Sequence, residues 1–190
     1  MIEIKKEAIV LDRATKEVQF KHTPVIQCIG VSNFSLLEMY SDDTPKLQEV
    51  ISTEDKPIKR IPYDRLTTIA KKELEKAVET IVNNNQERFV AFFNNARPIN
   101  ARRHQLDLLP MIGKKHRMAL MSYLEKNGPI TSLDDLKKID LFPDPIKVIV
   151  NRVITEIENK EDEKFFLFTV PIVKKFWILK IWSKNFILKC

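Results

Sequence analysis

The apolar positions change period near residue 65. Before it, short β-rich runs alternate with turn residues: Ala8–Leu11, Val25–Val31, Phe34–Tyr40, Leu47–Ile51 and Ile58–Ile61. Ser32-Asn33 reads as a tight hairpin turn, and Asp42–Pro45 and Glu54–Pro57 separate the weaker runs. Five short strands in some sixty residues predict a small antiparallel barrel. After residue 65, Leu66, Ile69, Ala70, Leu74, Ala77, Val78, Ile81 and Val82 recur at three and four, as on one face of a helix. Asp64 is placed to cap that helix, and Asn83–Asn85 to end it. Phe89, Val90, Phe92 and Phe93 predict a second, shorter helix with a core-facing aromatic cluster.

The remainder reads as all-helical. Arg97-Pro98 is a natural boundary. Asn100 is expected to cap a helix through Leu109, which Pro110–Gly113 breaks. The next helix runs through Ala119, Leu120 and Leu124 to Asn127-Gly128-Pro129. Thr131–Asp135 has capping-box form. Asp144-Pro145 pairs an N-cap with proline at the first helical position. Ile146, Ile149, Val150, Val153, Ile154 and Ile157 then fill one face of a last helix. No internal repeat is visible in the sequence. The expected organisation is α+β: an OB-like five-stranded barrel over 1–63, connecting helices over 64–97, a helical unit over 98–159, and a short strand with an apolar, basic tail over 160–190.

Composition narrows the chemistry. Three glycines in 190 residues, Gly30, Gly113 and Gly128, compare with about 13 at average usage. No two lie close enough for a dinucleotide-binding turn or a P-loop. Two cysteines, Cys28 and Cys190, suit reduced thiols in a cytoplasmic protein. No secretory leader and no apolar run of membrane-spanning length is seen, so an integral membrane span is not expected.

The net charge of +6 is unevenly placed. Arg97, Arg102, Arg103, Lys114, Lys115 and Arg117 face Asp107 alone within one stretch, and Val170–Cys190 holds five lysines and no acid. The rest of the chain is net acidic. Two basic blocks on an acidic body favour a polyanionic partner. His104, Asp107 and His116 lack the companions that a catalytic or metal site needs, so neither catalysis nor a cofactor is expected.

The stretch Leu106–Ala119 resembles a helix-hairpin-helix motif. Leu106 and Leu109 match its first helix, Pro110, Ile112 and Gly113 its hairpin, Lys114 and Lys115 its basic pair, and Ala119 its small packing position. The first hairpin glycine is replaced by Met111, strained by about 1–2 kcal/mol if that position needs positive φ. A helix starting at such a turn presents unpaired N–H groups and a positive dipole end, which attract anions. The backbone N–H groups of Ile112, Gly113 and Lys115 would meet a phosphate. Lys114, Lys115, His116 and Arg117 would supply the basic surface, and Arg102 and Arg103 would line the approach. Lys59 and Arg60 would form a second surface, with Phe34 or Tyr40 available for base stacking.

From about Ala8 to Phe168 the chain also resembles an archaeal family of unknown function, numbered 655. The matching stretches include Val10–Asp12, Phe34–Glu38, Tyr63–Thr67, Glu87–Ala96, Arg103–Leu109, Ile112–His116, Pro143–Pro145 and Phe166–Phe168. The resemblance implies an OB-like domain joined to a helix-hairpin-helix domain similar to the second domain of RuvA, with Asp144-Pro145 opening a second, degenerate hairpin unit. It implies a nucleic-acid-binding protein with RNA- or ribosome-linked work; together with the hairpin's phosphate contacts, the expected function is non-catalytic binding of RNA or DNA, RNA favoured, largely independent of sequence. The alternative is a protein-interaction module on the ribosome or transcription machinery. The tail after Val170 departs from the family. It admits three readings: a packed extra element, an altered reading frame, or a membrane or protein contact.

Overall fold

A computed structural model describes residues 7–18, 21–158 and 165–171. Most of the tail reading, including Cys190, lies outside them. The fold is α+β. Strands β1 (Glu7–Val18), β2 (Lys21–Gly30), β3 (Leu36–Tyr40), β4 (Val50–Ser52) and β5 (Ile58–Arg60) form one antiparallel sheet in the order β4-β1-β2-β3-β5. All five predicted strands are present, but the sheet is a curled half-barrel with β4 and β5 at its edges. The first hairpin is far longer than the apolar runs suggested, because polar residues continue β1 beyond Asp12. Leu47 lies before β4 and is exposed.

The consecutive buried residues of β1 serve two cores. Ile9 and Leu11 face the helices, whereas Ala8 and Val10 pack with Ile26, Cys28 and Met39 inside the curl. Burial there pushes the Cys28 thiol up to about 12, which keeps it protonated and inert. A register shift between Val10 and Asp12 turns Asp12 to the helix side as well. Asp12 Oδ2 accepts from Thr67 Oγ1 at 2.5 Å, and Thr67 N donates to Gln27 Oε1 at 2.9 Å. Thr67, not Asp64, is therefore the N-cap of α1 (Thr68–Asn84), its Oγ1 accepting from Ala70 N. Asp64 sits in a 3-10 turn over Tyr63–Arg65.

Helix α1 lays Ala70, Leu74, Ala77, Val78, Ile81 and Val82 against the sheet and the last helix; Ile69, expected on that face, is exposed. In α2 (Gln86–Asn95), Phe89 and Phe93 are buried, and Phe168 meets Phe89 and Phe92 edge-on.

The stretch after Arg97 is not all-helical. Asn100 caps no helix. Its Oδ1 accepts from the N–H groups of Arg102 and Arg103, turning the chain between β6 (Pro98–Asn100) and β7 (Arg103–His104). Only a 3-10 turn, Gln105–Leu108, follows. Helix α3 (Lys114–Asn127) ends where Gly128 takes φ +80°. Helix α4 (Leu133–Leu136) has Ser132 at its N-cap, within the expected Thr131–Asp135 stretch, and Asp135 Oδ2 accepts from Thr131 N and Ser132 N. Helix α5 (Pro145–Glu158) opens at Asp144, whose Oδ1 accepts from Ile146 N. Phe165–Phe168, expected as a strand, is bent chain.

A backbone repeat emerges that the sequence hides. Leu109 N donates to Leu106 O and Ile112 N to Leu109 O; thirty positions on, Ile139 N donates to Leu136 O and Phe142 N to Ile139 O. Met111 (φ 66°) and Leu141 (φ 58°) occupy equivalent left-handed positions. Each turn then delivers a helix of 14 residues, α3 and α5.

Candidate nucleic-acid interface

The turn before α3 gathers most of the residues in question. Pro110 is half-buried, Met111 is 58% exposed, and Ile112 is tucked into the core below. Two of the three expected phosphate donors already have partners. Ile112 N donates to Leu109 O at 3.3 Å, and Gly113 N donates to His116 Nδ1 at 3.2 Å. The amides that stand open at the helix start are those of Lys114, Lys115 and His116. Gly113 is not the residue whose backbone demands glycine. It has φ −106°, and a Cβ there would meet nothing within 4 Å. Positive φ falls two residues earlier, on Met111.

The basic side chains divide. Arg117 is tied up, its guanidinium holding both carboxylate oxygens of Asp107 at 2.6 and 2.5 Å. Lys114, Lys115 and Arg102 are exposed. Arg103 lies over the Phe165 ring, 5.7 Å from its centre. Arg60 donates to Val170 O at 2.6 Å, while its neighbour Lys59 is exposed on β5. Arg103 and Arg60 thus bracket the two ends of the Phe165–Val170 segment. Of the proposed stacking residues, Phe34 is buried beneath the Arg88 guanidinium at 5.0 Å, and Tyr40 is partly exposed.

His104 and Asp107 build the local fold. Asp107 Oδ2 accepts from His104 N at 2.8 Å, and His104 Nδ1 accepts from Leu106 N at 3.2 Å. Burial, with the Arg117 charge, holds His104 below the usual imidazole range. His116 packs edge-on to Phe142, ring centres 6.3 Å apart. The contact joins the first turn of the repeat to the second. The second turn differs in charge: Asp144 closes the start of α5, and Asp140 is exposed beside it.

Sequence reasoning missed the buried pair Arg152–Glu156, at 2.8 Å, inside an otherwise apolar face of α5. A spacing of four was the available signal. Glu156 accepts from Leu167 N, Phe168 N and Thr169 N, and Arg152 donates to Leu108 O and Phe165 O. A cavity of about 280 Å³ lies beside them, lined by Phe34, Arg60, Tyr63, Glu156 and Val170. Among the described residues no three His, Cys, Asp or Glu side chains gather to hold a metal, and no helix is long and apolar enough to cross a membrane.

A curled antiparallel half-barrel continuous with a helical repeat defines a mixed α+β class. Within that class the chain belongs to the family described as "Protein of unknown function (DUF655)", which it matches over residues 4–170. It is 31% identical, over 154 residues, to an uncharacterised protein of Methanocaldococcus jannaschii, covering 76% of this chain and 70% of that one. The crystal structure of Af1531 from Archaeoglobus fulgidus, of the same family, superposes with a TM-score of 0.75 at 31% identity; it covers 87% of this chain and 99% of that one.

Proposed function

We propose that this protein is a non-catalytic nucleic-acid-binding protein that holds a phosphate backbone, of RNA in preference to DNA, at the turn before α3. The observation that carries the reading is the helix start itself. The open amides of Lys114, Lys115 and His116 coincide with two exposed lysines, on a turn that no acidic side chain closes. Amides and dipole favour an anion there, and the lysines add attraction that does not depend on base sequence.

The thirty-residue backbone repeat supports reading this region as paired helix-hairpin-helix units. The first helix of the first unit is shortened to a single 3-10 turn. The curled five-stranded sheet supports an OB-like ancestry for the N-terminal half. Lys59 would extend the phosphate track.

The test is retention on RNA and DNA of equal length as salt is raised. Affinity should fall with a log–log slope of roughly −0.9 per duplex phosphate, or −0.7 on single strands. Lys114→Glu with Lys115→Glu should abolish retention and flatten the slope. Undiminished binding by that variant would remove the turn from the interface.

A further inference from the structure

Helix α3 is under-packed for its length. Of its 14 residues only Leu120 is fully buried. On the opposite side Lys114, Met118, Met121 and Glu125 follow at spacings of four, three and four, which align them in one stripe. Met118 is 59% exposed and Met121 45%. Lys114 and Glu125 flank them, exposed and without an opposite charge in contact among the described residues.

This stripe is self-complementary. If α3 of a second copy runs antiparallel across it, Met118 lies opposite Met121 and Lys114 opposite Glu125, each pairing occurring twice. We propose that α3 is the two-fold interface of a homodimer, with a methionine centre and a lysine–glutamate pair at each end. Charge complementarity chooses this occupant. The residues beyond 171 carry five lysines and no acid, so they offer Lys114 no counter-charge. A nucleic-acid strand would meet Glu125 and two thioethers in place of cations. The antiparallel arrangement is isologous and closes on itself. Two methionine pairs and two exposed ion pairs make a small interface, so association is weak and depends on concentration.

The proposal shares Lys114 with the proposed nucleic-acid site but does not depend on that site, and three variants separate the two. The measurement is sedimentation of the full chain from micromolar to millimolar concentration, without nucleic acid. The wild-type mass should rise from monomer toward dimer. Glu125→Lys should weaken association about tenfold or more, because it replaces two attractions by two repulsions. It should not lower RNA retention, since it adds positive charge and leaves Lys114 and Lys115 in place. Lys114→Glu combined with Glu125→Lys should restore the dimer while RNA retention stays low. Met118→Glu should abolish the dimer. A protein that is monomeric throughout, or a dimer indifferent to both Glu125→Lys and Met118→Glu, would overturn the proposal.

Discussion

Arg152 and Glu156 form a fully buried ion pair one helical turn apart, and each also holds a backbone segment outside α5. The Glu156 carboxylate takes three successive amides, Leu167 to Thr169, and the Arg152 guanidinium takes carbonyls from Leu108 and Phe165. Removing one partner leaves a buried charge uncompensated. Glu156→Gln should cost about 3–5 kcal/mol, read as a lower urea midpoint. Replacing both residues by apolar ones should not rescue stability, because the three amides would lose their acceptor. A double variant as stable as wild type would refute this role.

Stability should decline under mild acid through His104. Its folded pKa lies below the ordinary 6.5, so the unfolded chain takes up the proton first as pH falls. The contribution is complete above about pH 6.5 and is lost as pH drops from there toward the lowered folded value. His104→Asn keeps a side-chain acceptor for Leu106 N that does not titrate. The urea midpoint of that variant should vary less between pH 7.5 and 5.5 than that of the wild type.

The glycines should rank by backbone angle. Gly128→Ala places a Cβ at φ +80° and should cost about 1–2 kcal/mol. Gly113→Ala, with an ordinary φ and open space, should cost under about 1 kcal/mol and leave nucleic-acid retention intact. Thermal unfolding of the two variants reads the difference.

Met111 and Leu141 should respond in the opposite sense. Each is an exposed apolar side chain, 58% and 81%, held in the left-handed region. Replacing either by glycine relieves about 1–2 kcal/mol of strain against about 0.5–1 of lost chain stiffness. Each single variant should therefore gain roughly 0.5–1 kcal/mol, raising Tm by a few degrees. A loss of stability would mean that the side chains are supported by packing after all.

What could be read from the sequence follows from where its information lies. Apolar periodicity located all five strands and the major helices, because burial on a repeating face writes itself into residue type. The strained Met111 was foreseeable, since a hairpin position that favours glycine held something else. Capping failed at Asp64 and Asn100 because competing geometry decided there: Thr67 had partners on two strands, and Asn100 closed a turn within a hairpin. Arg117 read as phosphate-binding charge until Asp107, ten residues away, was found to neutralise it. Residue identity did not show the thirty-residue repeat, which resides in φ angles and i+3 hydrogen bonds; the one hint of a second unit came from the family resemblance, at Asp144-Pro145. Arg152 and Glu156 were hidden by their own partners, which are backbone groups that no composition can announce.

The seam at Phe165–Val170 bears on how the protein can be divided. Arg88 donates at once to Ser32 O, in the turn between β2 and β3, and to Phe168 O, and Arg60 holds Val170 O. A fragment that stopped after α5 would contain every helix and strand found among the described residues. It would still leave the Glu156 carboxylate and the Phe89–Phe92 aromatic face without their covering. The smallest autonomous unit is therefore set by a stretch with no secondary structure, and trimming guided by helices and strands alone would cut inside it.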